Sequence, residues 1–200
     1  MFENVLDGAI KIMYLHGYGS RFDLQSEKMH ILSQLGEVVG PDLNYGLGPD
    51  VVRKVAEDLA RQEFPDLIVG TSMGGWLAGH TGTALGIPFV ALNPAIRPSQ
   101  TLRKYIGNPV NYEGFEATIE AETVAAYPDF RTTKGFGLIL CEEADEVLDA
   151  HTTIAFLKDY YDARLIPGGN HRFSSLADHL GDIHTHWFHS VMCYEDPDSD

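Results

Sequence analysis

Apolar residues in this chain fall into short unbroken runs, and between the runs they recur every three or four positions. The runs Ile10 to Leu15, Glu37 to Gly40, Leu67 to Val69, Pro88 to Leu92, Gly137 to Cys141 and Ala163 to Ile166 lack polar alternation, the pattern of strands covered on both faces. Helix-like segments lie between them. The clearest is Pro49 to Gln62, where proline suits a first helical turn and Val51, Val52, Val55 and Leu59 recur on one side. Ala150 to Tyr160 is another, and Trp187, Phe188 and Val191 read as the buried stripe of a terminal helix. Alternating strands and helices predict an α/β fold with a mainly parallel sheet and helices on both faces. With 200 residues, one domain over 1–200 is expected, because chains usually divide only above roughly 250–300 residues. Residues 94–133 interrupt the rhythm with weak helical patches at Thr101 to Ile106 and Glu116 to Ala125, as a lid or cap insertion or as a crossover with a long loop. The acidic tail Tyr194 to Asp200 reads as frayed.

The chemistry concentrates where strands end. Gly70-Thr71-Ser72-Met73-Gly74 follows the run Leu67-Ile68-Val69 and precedes a stretch able to start a helix. G-x-S-x-G in that setting holds a serine on a sharp turn, with its hydroxyl projecting from the sheet edge and glycines where side chains would collide. The helix start aims unpaired N–H groups at the same point, so the Met73 amide is a candidate oxyanion donor. A second donor is expected from the loop after the first strand, where Gly17 lets the chain turn and the Tyr18 amide can face the site. His16 is expected to support that loop through hydrogen bonds.

A serine hydroxyl needs a base, and the base an orienting acid, both expected downstream with the acid first. His171, after the strand ending at Ile166 and the turn Pro167-Gly168-Gly169-Asn170, is the candidate base. The loop after Cys141 holds Glu142, Glu143, Asp145, Glu146 and Asp149, most of them expected to be solvated bystanders. Asp145 is favoured as the acid, with Asp149 in reserve because an acid there also suits a helix cap. Tyr18, Trp76, Asn93 and Ile96 are the candidate substrate-binding residues, with packing the favoured role for Trp76.

Tyr14-Leu15-His16-Gly17-Tyr18, Val69 to Gly75, Leu92 to Pro98, Asp145 to Asp149 and Gly168 to Phe173 resemble, in the same order, segments of the YqiA/YcfP-type branch of the α/β-hydrolases, small proteins regarded as esterases. The resemblance runs from about Ile12 to Phe173. It implies a compact α/β-hydrolase fold with Ser72 as nucleophile, His171 as base and an acid from the Asp145 segment. The chain departs from the family at Glu142-Glu143-Ala144, where a polar-glycine approach to the acid is expected. Residues and resemblance together predict a serine carboxylesterase for small, short-acyl esters working through an acyl-enzyme. An acyl thioesterase and a non-catalytic binding protein on the same fold are the alternatives.

Composition narrows the rest. Lys and Arg number 14 against 29 Asp and Glu, and a net charge of −15 repels a phosphate backbone and an anionic membrane, so neither nucleic acid nor membrane is an expected partner. The expected partner is a small-molecule ester. Apolar runs stay short of the ~20 residues of a membrane-spanning helix, and Met1 to Ala9 carries acids where a signal peptide carries bases, so a cytoplasmic location is expected. Cys141 and Cys193 allow at most one bridge and imply no disulfide framework. Gly17-Tyr18-Gly19 lacks the third glycine of a dinucleotide fingerprint. His179, Asp182, His184, His186 and His189 read as a polar helix face rather than a metal site. No cofactor and no metal are expected.

Overall fold

A computed structural model describes residues 10–112, 115–133 and 135–194. Along the chain run β1 (Ile10–Leu15), α1 (Glu27–Leu32), β2 (Gly36–Val39), α2 (Pro49–Glu63), β3 (Leu67–Thr71), α3 (Met73–Leu85) and β4 (Phe89–Leu92). There follow α4 (Pro98–Thr101), a short hairpin β5 (Val110–Tyr112) and β6 (Phe115–Ala117), α5 (Ala121–Ala126), β7 (Gly137–Glu142), α6 (Ala150–Leu157), β8 (Asp162–Ile166) and α7 (Leu180–Tyr194). Six strands form one sheet in the order β2-β1-β3-β4-β7-β8, every neighbouring pair parallel. All six predicted strands are present, within two residues at each end. β3, β4 and β7 are buried along their whole length, as expected of apolar runs without alternation.

Successive strand residues point to opposite faces and split the core in two. Met13, Leu15, Ile68 and Ile139 pack with α2, α3 and α6 on one face, while Ile12, Tyr14, Val69 and Leu140 pack with α1 and α7 on the other. In α2 the buried stripe is Val52, Ala56 and Ala60, with Leu59 at its margin, whereas Val51 and Val55 face solvent. The buried stripe thus differs from the expected one: Ala56 and Ala60, small enough for close packing beside α3, join Val52 in place of Val51 and Val55. Trp187 is buried and Phe188 and Val191 partly so, the stripe expected of the terminal helix. The Cys141 thiol is buried, which pushes its pKa up to about 12 and leaves it an inert core group. The leader reading of Met1 to Ala9 and the tail reading from Glu195 onward lie outside the described residues. No described helix is long and apolar enough to cross a membrane.

Between Pro94 and Thr133 the helical patch expected at Glu116 to Ala125 is instead the strand β6, a bridge between Ile119 and Ile106, and only then α5. Leu102, Ile119, Val124, Tyr127 and Phe130 of this segment are buried in the core beside α3. The Trp76 indole donates to the Pro128 carbonyl at 3.0 Å, and the Phe130 amide donates to the Ile96 carbonyl at 2.8 Å. Of the histidine-rich surface, His179 Nδ1 meets Asp182 at 2.8 Å, Asp182 pairs with Arg164 at 2.8 Å, and the His186 ring donates to the Phe136 carbonyl at 3.2 Å.

His80 on α3 is enclosed by the same segment. Its ring donates to the Asp129 carbonyl at 3.2 Å and lies 4.6 Å from the Trp76 ring, and burial pulls its pKa from 6.5 down to about 4. The unfolded chain therefore takes up this proton first as pH falls. The stabilisation is complete above pH 6.5 and lost as pH drops toward 4. Urea melts at pH 7.5 and pH 5 should differ by about 2 kcal/mol through this histidine alone. His80→Gln should show the flatter pH dependence; equal slopes in the two proteins would contradict the assignment.

Candidate active site

Ser72 sits between the end of β3 and the start of α3 with φ 58° and ψ −118°, a conformation that L side chains rarely adopt. The backbone holds it there: its N–H donates to the Leu92 carbonyl at 3.0 Å, and its carbonyl accepts from the Ala95 and Trp76 amides, each at 3.1 Å. The motif glycines are there for close approach. A Cβ on Gly70 would lie 2.0 Å from the Gly74 carbonyl oxygen, and one on Gly74 would lie 1.9 Å from the Leu15 carbonyl oxygen. The first would open the turn itself, and the second would force it off the end of β1.

His171 comes from the far edge of the sheet. β8 lies three strand positions from β3, or about 14 Å at ordinary strand spacing, so residues 167–175 must cross the ends of β7 and β4 to reach Ser72. Each strand end ties the crossing loop. Glu142, the last residue of β7, is fully buried; its carboxylate accepts from the Asn170, Ser174 and Ser175 amides at 2.6, 3.1 and 2.8 Å and from the Ser175 hydroxyl at 2.6 Å. Asn93, just past β4, donates from Nδ2 to the Asn170 and His171 carbonyls at 2.9 and 3.3 Å, and its Oδ1 accepts from the Glu142 amide at 2.7 Å. Gly169, at φ +77°, passes so close to the Glu142 carboxyl that a Cβ would fall 2.0 Å from its Cδ.

So placed, the Ser72 hydroxyl lies 3.0 Å from His171 Nε2, and His171 Nδ1 lies 2.9 and 2.8 Å from the two oxygens of Asp145. The Asp145 side chain is only 1% exposed and the His171 side chain 20%, so the acid is enclosed and the imidazole reachable. Asp145 Oδ1 also accepts from the Val147 and Leu148 amides at 2.8 and 2.9 Å, which fixes the carboxylate. An ionised carboxylate only accepts, so Nδ1 carries the ring proton and Nε2 turns a lone pair to the serine hydroxyl. The next carboxylate, Glu146, accepts the His171 backbone N–H at 2.9 Å, the leading cause that holds its pKa below the usual range.

Asp149 does something else: it caps α6, its Oδ1 accepting from the Thr152 amide at 2.9 Å. The expectation that Glu142 is a solvated bystander is corrected. It is an internal anchor, and the signal for it is an acid closing an otherwise unbroken apolar strand.

On the opposite side of Ser72, a Cβ on Gly17 would lie 3.3 Å from Ser72 Cβ, so the loop bearing Tyr18 rests on the serine turn. Met73 opens α3, where no preceding turn supplies a carbonyl for its N–H. His16 braces this loop. The Leu43 amide donates to its Nε2 at 2.9 Å, so Nδ1 is the protonated nitrogen and donates to the Gly17 carbonyl, also at 2.9 Å. Burial lowers the pKa of His16 and keeps it neutral in that role. The Tyr45 hydroxyl donates to the His16 carbonyl at 2.6 Å, and the Tyr127 hydroxyl donates to the Tyr45 carbonyl at 2.6 Å, linking the 94–133 segment to the loop.

Among the four substrate-binding candidates, Trp76 and Asn93 point inward, at 0% and 2% exposure, one spanning to Pro128 and the other holding the His171 loop. Neither leaves surface for a ligand. Ile96 is buried at 8%, and the Tyr18 ring packs 4.9 Å from that of Tyr105.

The architecture is that of the α/β-hydrolases. Est1E from Butyrivibrio proteoclasticus aligns with a TM-score of 0.67 at 15% identity, covering 92% of this chain and 89% of that one. An esterase of Pyrococcus furiosus aligns at 0.64 and 15% identity, covering 90% and 82%. In sequence, a UPF0227 protein of Shewanella sp. strain MR-4 is 30% identical over 182 residues, which are 86% of this chain and 96% of that one. The model of the uncharacterised protein family UPF0227 matches residues 11–187, and the chain belongs to that family.

Proposed function

We propose that the protein is a serine carboxylesterase that hydrolyses small, short-acyl carboxylic esters through an acyl-enzyme. The observation that carries this reading is the continuous hydrogen-bonded path from the Ser72 hydroxyl through His171 to the enclosed Asp145 carboxylate. A protein that only binds a ligand has no need of a strained serine whose hydroxyl faces an imidazole lone pair. The named esterase among proteins of like fold agrees with the reading.

In the proposed reaction Ser72 Oγ attacks the ester carbonyl carbon while His171 Nε2 takes its proton. Asp145 steadies the resulting imidazolium through Nδ1–H. The developing oxyanion accepts from the Met73 and Tyr18 amides, and each such donor is typically worth about 2.7–4 kcal/mol in the transition state. As the acyl–oxygen bond breaks, His171 returns the proton to the leaving alcohol. Water, deprotonated by the same imidazole, then attacks the acyl-enzyme and releases the acid and free Ser72. Protein groups and water suffice for both halves.

The preference for short acyl groups follows from scale. With Trp76 and Asn93 committed to the interior and Leu102, Ile119, Val124, Tyr127 and Phe130 sharing the core, little of the described material around the site remains to wall a deep acyl tunnel. A series of p-nitrophenyl esters from acetate to laurate, with an acyl thioester alongside, tests this. The expected result is the highest kcat/KM at acetate to butyrate. A maximum at long chains, or turnover of the thioester alone, would contradict it.

A further inference from the structure

Lys28 stands on α1, far in sequence from the serine and histidine segments, yet its ammonium ends between them. Lys28 Nζ donates to Thr71 Oγ1 at 3.0 Å and to the Arg172 carbonyl at 2.6 Å. Thr71 immediately precedes Ser72, and Arg172 immediately follows His171. The Tyr14 hydroxyl donates to the same Thr71 oxygen at 3.2 Å, and the ammonium sits 5.9 Å from the Tyr14 ring centre. A lysine on a short surface helix ordinarily extends into water, where its charge is fully hydrated. This one gives up much of that hydration: burial lowers its pKa to about 8, opposed by the nearby Glu142 carboxylate and reinforced by Arg172.

Asn93 and Glu142 hold the crossing loop at residues 170, 171, 174 and 175 from the ends of β4 and β7. Lys28 ties the loop to the end of β3, at the residue that leads into Ser72. We propose that Lys28 is a positioning residue whose ammonium ties the Ser72 turn to the His171 loop and so maintains the 3.0 Å approach of Ser72 Oγ to His171 Nε2. The proposal rests on the reading of Ser72 and His171 as nucleophile and base. Desolvation of a partly buried charge offsets the stability its hydrogen bonds supply, so an effect on geometry separates from one on stability in a variant.

The test compares Lys28→Met and Lys28→Arg with wild type in four measurements. These are kcat and KM on p-nitrophenyl acetate, the rate at which a fluorophosphonate labels Ser72, the Tm, and the His171 Nδ1–H proton resonance. Lys28→Met should lower kcat and the labelling rate by about 10–100-fold, the scale of a misplacement of about 1 Å, with KM and Tm little changed. Lys28→Arg, which keeps charge and donors, should recover most of the loss. Wild-type kcat in Lys28→Met, a loss confined to KM or matched by a falling Tm, or no rescue by arginine would overturn the proposal. If the wild-type protein cleaves no ester, the functional reading fails separately. The tie is then judged on the imidazole resonance, which Lys28→Met shifts or broadens if the tie holds and leaves unchanged if it does not.

Discussion

Ser72→Ala should lower kcat for p-nitrophenyl acetate by about 10⁴–10⁶-fold and leave the protein folded with nearly the wild-type Tm. The size of the loss comes from chemistry. Without the hydroxyl no acyl-enzyme can form, and His171 can at best direct water toward a carbonyl held by the proposed oxyanion donors, the Met73 and Tyr18 amides. The intact fold comes from structure. The bonds that hold the turn are backbone bonds to Leu92, Ala95 and Trp76, and alanine keeps the Cβ that already tolerates φ 58°. Steady-state kinetics and thermal melts on the two proteins check both halves. Equal rates in wild type and variant would end the esterase reading.

Asp145→Asn should cost about 10⁴-fold in kcat, for a reason peculiar to the imidazole. Both carboxylate oxygens face Nδ1, and one of them already serves the Val147 and Leu148 amides. An asparagine keeps an oxygen for those amides and turns its NH₂ toward the ring. Nδ1 must then accept, the proton moves to Nε2, and Nε2 can no longer receive the proton of Ser72. Asp149→Ala removes a helix cap at the start of α6 and should lower the Tm while kcat stays at the wild-type level. Rates of the two variants measured side by side decide between the acids. A larger loss at Asp149 would reverse the assignment.

The parts of this molecule that the sequence made legible are those with a local cause. The central strands β3, β4 and β7 are unbroken apolar runs buried along their length, and the edge strands β2 and β8, though partly exposed and carrying Glu37 and Arg164, keep enough apolar residues to be read as strands. G-x-S-x-G after such a run marks the Ser72 turn, because only glycine fits where Gly70 and Gly74 touch backbone. The loop ending Gly168-Gly169-Asn170-His171 could be read as a strand-end turn for a similar reason: Gly168 and Gly169 both hold positive φ. What escaped depends on packing between distant segments. The buried face of α2 was mis-set because periodicity weighs valine over alanine, whereas the close approach to α3 favours Ala56 and Ala60. Asn93 read as a pocket residue, but its φ of 44° and its bonds to residues 142, 170 and 171 make it a strut. Lys28 resembles an ordinary surface charge, since nothing within a few residues of it reveals that the loop after β8, at the opposite edge of the sheet, reaches its ammonium. Glu142 is marked only as an acid closing an apolar strand, which does not reveal that the loop after the neighbouring strand folds over it.

The proposed activation of Ser72 Oγ by His171 on its Asp145 support can be read chemically by treating the protein with a fluorophosphonate and locating the adduct by peptide mass spectrometry, in wild type and in His171→Ala. One phosphonate on Ser72 is expected in the wild-type protein and almost none in the variant over the same time. An adduct on another residue, or equal labelling of Ser72 with and without the imidazole, would contradict it.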